Sequence, residues 1–174
     1  MNKQIDFKTK TEIETDIDRI TQILKCDIFS QQNCRHPLLQ AAFIELIIRL
    51  RDLLYKCDKF DGRVNFSDDV VYLKYKDYYG KEKEVKDITD AVAYIRNAAC
   101  HIESELNFLD PNIIFIFNVA YGKHNIISTP KKNLTSDYGD DVRFFYGEQK
   151  LYLKRHIIRA FEESKKFLSQ YLTN

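Results

Sequence analysis

Arg96, Asn97 and His101 fall within one six-residue stretch, and their side chains suit phosphate chemistry. Histidine exchanges protons near neutral pH. Arginine stays charged, and its planar fork matches two phosphate oxygens, so it suits a negative charge that develops during reaction. Asn97 both donates and accepts, and can orient His101 or a phosphate. The nine Arg and four His of the chain would give about 0.6 chance Arg–His pairs with four to six residues between them. Requiring Asn after the Arg, at the one observed spacing, lowers that to about 0.01.

At this point the residues resemble a known family. Arg96-Asn97-x-x-x-His101 looks like the R-N-x-x-x-H form of the HEPN superfamily motif. That family's domains are small and all-helical, and many are metal-independent ribonucleases. The resemblance implies an endoribonuclease with Arg96, Asn97 and His101 as catalytic residues and no cofactor. RNA would be cleaved by 2′-hydroxyl attack, leaving a 2′,3′-cyclic phosphate and a 5′-hydroxyl. Such chemistry needs a proton taken from the 2′-hydroxyl, the phosphorane charge stabilised, and a proton given to the leaving oxygen. Whether His101 is the acid or the base stays open.

The motif must be carried by a helix. Asp87 is the expected N-cap, and Asp90 lies in the first turn, where the dipole favours an acid. Ile88, Val92, Ile95, Ala99, Ile102 and Leu106 recur at steps of four and three, forming one apolar face. This predicts a helix ending near Phe108, before Pro111. On such a helix Arg96 and His101 stand about 140° apart, on opposite shoulders. Between them runs a stripe of small residues, Ala93, Asn97, Cys100 and Ser104. Two copies packed through that stripe would bring both residues of both chains into one cleft, so a homodimer is expected. The resemblance points the same way.

The remaining elements read outward from the motif. Ile13, Ile17, Ile20, Leu24 and Ile28 predict a helix over 9–29. Residues 37–59 form the most apolar helix, the central one, started by Pro37. Its polar ribbon, Glu45, Arg49, Asp52 and Lys56, is either a solvated strip of i,i+4 pairs or, at Glu45 and Arg49, support for Arg96 and His101. Residues 60–86 read as an excursion with a short hairpin, Val70–Tyr75 turning at Tyr79-Gly80. Residues 111–147 read as a small β insertion: strands at 113–121, 125–128 and 141–147, and a loop over 129–140. A last helix is expected over 148–172. It carries Lys150, Lys154, Arg155, His156 and Arg159 in a window without one acid, either a solvated face or an RNA-tracking patch of Lys154, Arg155 and Arg159.

The expected fold is therefore mainly α: one domain over 1–174, an up-and-down bundle of four to five helices with a small β-hairpin insertion at about 111–147. A net charge of +1 argues against coating nucleic acid by bulk charge. Cys26, Cys34, Cys57 and Cys100 show no metal-ligand spacing and read as reduced cytosolic thiols. There is no signal-peptide pattern, and no apolar run reaches a membrane span. The expected setting is the cytoplasm, and the expected partner is RNA. A toxin or defence effector is the implied role, with an antitoxin or regulatory protein as further partner. The alternatives are a catalytically silent module that binds RNA, a nucleotide or a partner protein, and a purely structural helical adaptor.

Overall fold

The computed structural model describes residues 5–77, 79–101, 103–110, 112–128 and 133–172. Helix α1 (Phe7–Lys25) starts at Asp6, whose carboxylate accepts from the Thr9 N–H at 2.7 Å. Helix α2 (Leu39–Lys59) is central, as its all-round apolar surface requires. Phe43, Leu46, Ile47, Leu50 and Leu53 are fully buried, and α2 packs on α1, α3 and α4. A hairpin follows, β1 (Leu73–Lys76) antiparallel to β2 (Glu82–Val85). Helix α3 (Ile88–Cys100) carries Arg96 and Asn97, and His101 follows its last residue.

Past α3 the chain is mostly strand: β3 (Phe108–Asp110), β4 (Ile113–Ile114), β5 (Asn118–Tyr121), β6 (His124–Ser128), β7 (Asn133–Ser136), β8 (Val142–Tyr146) and β9 (Gln149–Tyr152). A π-helical segment, Leu153–Ile158, leads into α4 (Arg159–Ser169). Strands β5, β8 and β9 form one antiparallel sheet with β8 in the middle, and the other strands among the described residues pair into three two-stranded sheets.

The expected mainly-α bundle is thus overturned. Of the described residues 47% are helical and 22% are in strands, which makes a mixed α/β fold rather than an all-α one. Nor is the three-stranded sheet an appendage. Strand β8 is buried on both faces. Phe144 and Tyr146 face the main core, where the Phe43 ring lies 4.4 Å from that of Phe144. Phe145 faces a second cluster with Leu109, Phe115 and Ala120. A helix bundle alone would leave the Phe43 side of α2 uncovered, and the sheet covers it.

Three expected boundaries also moved. The helix expected over 148–172 begins only after β9, because Gly147 turns the chain back at φ +52, and a side chain there would strike the Leu106 carbonyl. The strand expected over 113–121 is broken at Phe117, whose φ is +41. The expected loop 129–140 contains β7, which pairs with β6, while β5 pairs with β8. Ile102, Pro111 and residues 129–132 lie outside the described residues. No helix among the described residues is long and apolar enough to cross a membrane.

Candidate active site

Helix α3 is clamped at its start. Asp87 caps it by accepting the Asp90 N–H at 3.0 Å. The Arg63 guanidinium then bridges Asp87, Asp90 and Asp58 at 2.7–3.1 Å, tying this end to the end of α2. The helix buries Ile88, Ala91, Val92, Tyr94, Ile95 and Ala98.

It ends at Cys100, not near Phe108. His101 is its C-cap, with φ −129 and ψ 85, outside helical conformation. A helix end leaves carbonyls without partners, and Asn107 supplies them. Its side-chain amide, fully buried, donates to the Ala98 carbonyl at 3.0 Å and to the His101 carbonyl at 2.9 Å. The His101 carbonyl also accepts from the Ser104 N–H at 2.9 Å, and the His101 N–H donates to Asn97 at 3.1 Å. The Tyr94 hydroxyl holds the next turn by donating to the Leu106 carbonyl at 2.9 Å. The backbone of His101 is therefore fixed on both sides while the residue is exposed.

This ending changes the site's geometry. Because His101 has left the helix, the 140° separation does not apply. Arg96, Asn97, Cys100 and His101 line one cleft of about 910 Å³ within a single chain, with Asp77 and Tyr79 from the β1–β2 turn and Glu103. Arg96 Nη1 donates to Asn97 Oδ1 at 3.2 Å, so Asn97 orients the arginine. The small-residue stripe is also shorter than expected. Ala93 and Asn97 are half-buried and Cys100 is exposed, but Ser104 sits in the following turn, where its hydroxyl accepts the Leu106 N–H.

No family model, curated protein or solved structure matches the chain. What the site can do therefore rests on its own geometry.

Two other groups of expected site residues lie apart from this cleft. Arg49 donates to Glu45 at 2.9 Å and to Asp16 of α1 at 3.0 Å, and Asp16 also binds Lys56 at 3.1 Å. Asp16, and then Glu45, raise the Arg49 pKa. The polar ribbon of α2 is a seam with α1, and Arg49 lines a separate cleft of about 800 Å³ there.

The basic window is free of acids in sequence but not in space. Arg155 binds Asp140 and Asp141, each at 3.0 Å, and Lys154 Nζ donates to the Asp140 carbonyl. Arg159 binds Asp68 at 3.0 Å and Glu163 at 2.9 Å. His156 is buried beneath them. Its Nδ1 accepts the Tyr152 N–H, so Nε2 carries the proton toward the Asp68 carbonyl at 2.8 Å. Burial lowers its pKa. It is a structural histidine.

Among the described residues no group of three or more His, Cys, Asp or Glu could hold a metal ion. All four cysteines are free. Cys57 is buried, and burial pushes its thiol up to about 11. Sequence reasoning missed Asn107, Asp77 and Tyr79. The Tyr79-Gly80 turn was visible as a turn, but nothing local ties it to α3. Asn107 lies beyond the expected helix stripe and carries no pattern of its own.

Proposed function

We propose that this chain is a metal-independent endoribonuclease of the HEPN type. The observation that carries the reading is the convergence of Arg96 and His101 on one open cleft, with the His101 backbone fixed and the residue exposed. Arg96, oriented by Asn97, holds the non-bridging oxygens of the scissile phosphate and stabilises the phosphorane. His101 moves the proton at the 2′- or 5′-oxygen. The 2′-hydroxyl attacks phosphorus, the bond to the 5′-oxygen breaks, and the products are a 2′,3′-cyclic phosphate and a 5′-hydroxyl. The four free thiols fit action in a reducing cytoplasm.

Two proton transfers require an acid and a base, and one chain brings one histidine to the cleft. Homodimerisation through Ala93, Asn97 and Cys100 supplies the second copy. Small side chains there let two α3 helices approach closely, and a two-fold axis repeats every residue across the interface. The same single histidine favours the second reading, a catalytically silent RNA- or nucleotide-binding module, if the chain stays monomeric. The test is cleavage of mixed RNA in EDTA by the wild type, Arg96→Ala and His101→Ala. Each substitution is expected to lower the rate by ~10²-fold or more, and the product ends are read chemically. A protein that restrains the nuclease would have to cover this cleft.

A further inference from the structure

The β1–β2 hairpin places an aromatic ring at the rim of the Arg96–His101 cleft. Tyr79 is 85% exposed and lines that cleft beside Asp77. Hydrogen bonds tie the described residues of its turn together. Asp77 Oδ1 accepts the N–H groups of Tyr79 at 3.0 Å and Lys81 at 2.9 Å. The Asp77 N–H donates to the Lys81 carbonyl, and the Gly80 N–H donates to that of Asp77, both at 2.9 Å. Gly80 takes φ +74, which only glycine adopts without strain. The root of the hairpin is fixed to the motif helix as well. Tyr75 packs edge-on against Tyr94, two residues before Arg96, with centroids 5.0 Å apart, and Val85 is fully buried.

An exposed tyrosine by itself needs no explanation. One held on a tight turn, over a cleft whose floor can hold a phosphodiester, has a natural use. Single-stranded RNA offers unstacked bases, and proteins hold these on aromatic side chains. The charges divide the cleft in the same sense. Asp77, in the turn that carries Tyr79, repels phosphates, which leaves the hairpin side to an uncharged base and the Arg96 side to the RNA backbone.

We infer that Tyr79 is a stacking platform for the nucleobase next to the scissile phosphate, which makes single-stranded RNA the substrate class. Tyr79 is thereby a positioning residue. The inference rests on the ribonuclease reading for the phosphate, but base stacking is measurable without cleavage.

The experiment uses fluorescence anisotropy with a labelled single-stranded oligoribonucleotide and its duplex, on His101→Ala protein so that the RNA stays intact. Adding Tyr79→Ala is expected to weaken single-strand binding about tenfold or more, the scale of one lost base–aromatic stack. Adding Tyr79→Phe keeps the ring and is expected to stay within about twofold. The duplex should bind weakly to all three. Because the chain has no tryptophan, Tyr79→Trp adds a unique fluorophore whose emission the single strand should quench. In the cleaving protein, Tyr79→Ala should raise KM more than it lowers kcat. Single-strand binding unchanged by Tyr79→Ala, or Tyr79→Trp emission unmoved at saturating RNA, overturns the platform. Absence of RNA binding overturns it too. Tyr79-dependent binding by a protein that never cleaves upholds the platform and removes the nuclease. Cleavage with a KM indifferent to Tyr79→Ala does the reverse.

Discussion

Replacing Asn107 by alanine should destabilise the protein by ~2–4 kcal/mol, although Asn107 lies outside the motif. Its side-chain amide is fully buried and donates two bonds, at 3.0 Å to Ala98 and 2.9 Å to His101. The two losses differ. The His101 carbonyl keeps the Ser104 N–H, so that loss is of order 1 kcal/mol, the net worth of one hydrogen bond. The Ala98 carbonyl is an end-of-helix acceptor with no second donor among the described residues, and leaving a buried acceptor unpaired costs about 1–3 kcal/mol. Urea unfolding followed by circular dichroism measures the sum. With m of about 2 kcal/mol/M, the middle of the usual range, the midpoint should fall by roughly 1–2 M. Asn107→Asp should do worse, because a carboxylate would face two carbonyls. The second consequence is functional. With the C-cap loosened, the His101 backbone keeps only its bonds to Asn97 and Ser104, and cleavage should fall even at temperatures where the variant is folded. A midpoint shift under about 0.3 M at unchanged m would show that the cap does not depend on Asn107.

Two further outcomes follow from the same structure. His156 is held neutral by burial, with its pKa below 6.5; between that lowered value and about 6.5 the unfolded chain binds a proton that the native chain does not. Stability should therefore rise with pH through this window and be lost as pH falls through it. His156→Gln should flatten the urea midpoint between about pH 5 and 7 relative to wild type, and equal slopes would contradict the assignment. At the proposed interface, Ala93→Arg places a bulky charge on the half-buried small face of α3. Light scattering should show wild-type dimers and folded Ala93→Arg monomers, with cleavage lost although Arg96 and His101 remain. A monomeric wild type that still cleaves would remove the shared site.

What was legible in the sequence was local. The period of Ile13 and Ile20, the all-round apolarity of α2, the Asp87 cap and the Tyr79-Gly80 turn each depend on neighbours within a few residues, and the structure has these features. The failures have non-local causes. Leu106 continued the apolar stripe of α3 in register, yet the helix stops because Asn107 folds back to satisfy its last carbonyls. Leu151 matched a helical face with Ile158 and Phe161, but pairing of β9 with β8 claims it. The acids that neutralise Arg155 and Arg159 include Asp68, Asp140 and Asp141, distant in sequence. Arg96, Asn97 and His101 stood out in the sequence by type and spacing. Their shared cleft in one chain was not, since it depends on where the helix ends.

The central claim is tested most directly by incubating the purified wild type and His101→Ala with mixed RNA in excess EDTA. The account predicts that the wild type cleaves without metal and leaves 2′,3′-cyclic phosphate and 5′-hydroxyl ends, while His101→Ala, folded by circular dichroism, is slower by ~10²-fold or more. Intact RNA with the wild type, or equal cleavage by His101→Ala, would contradict it.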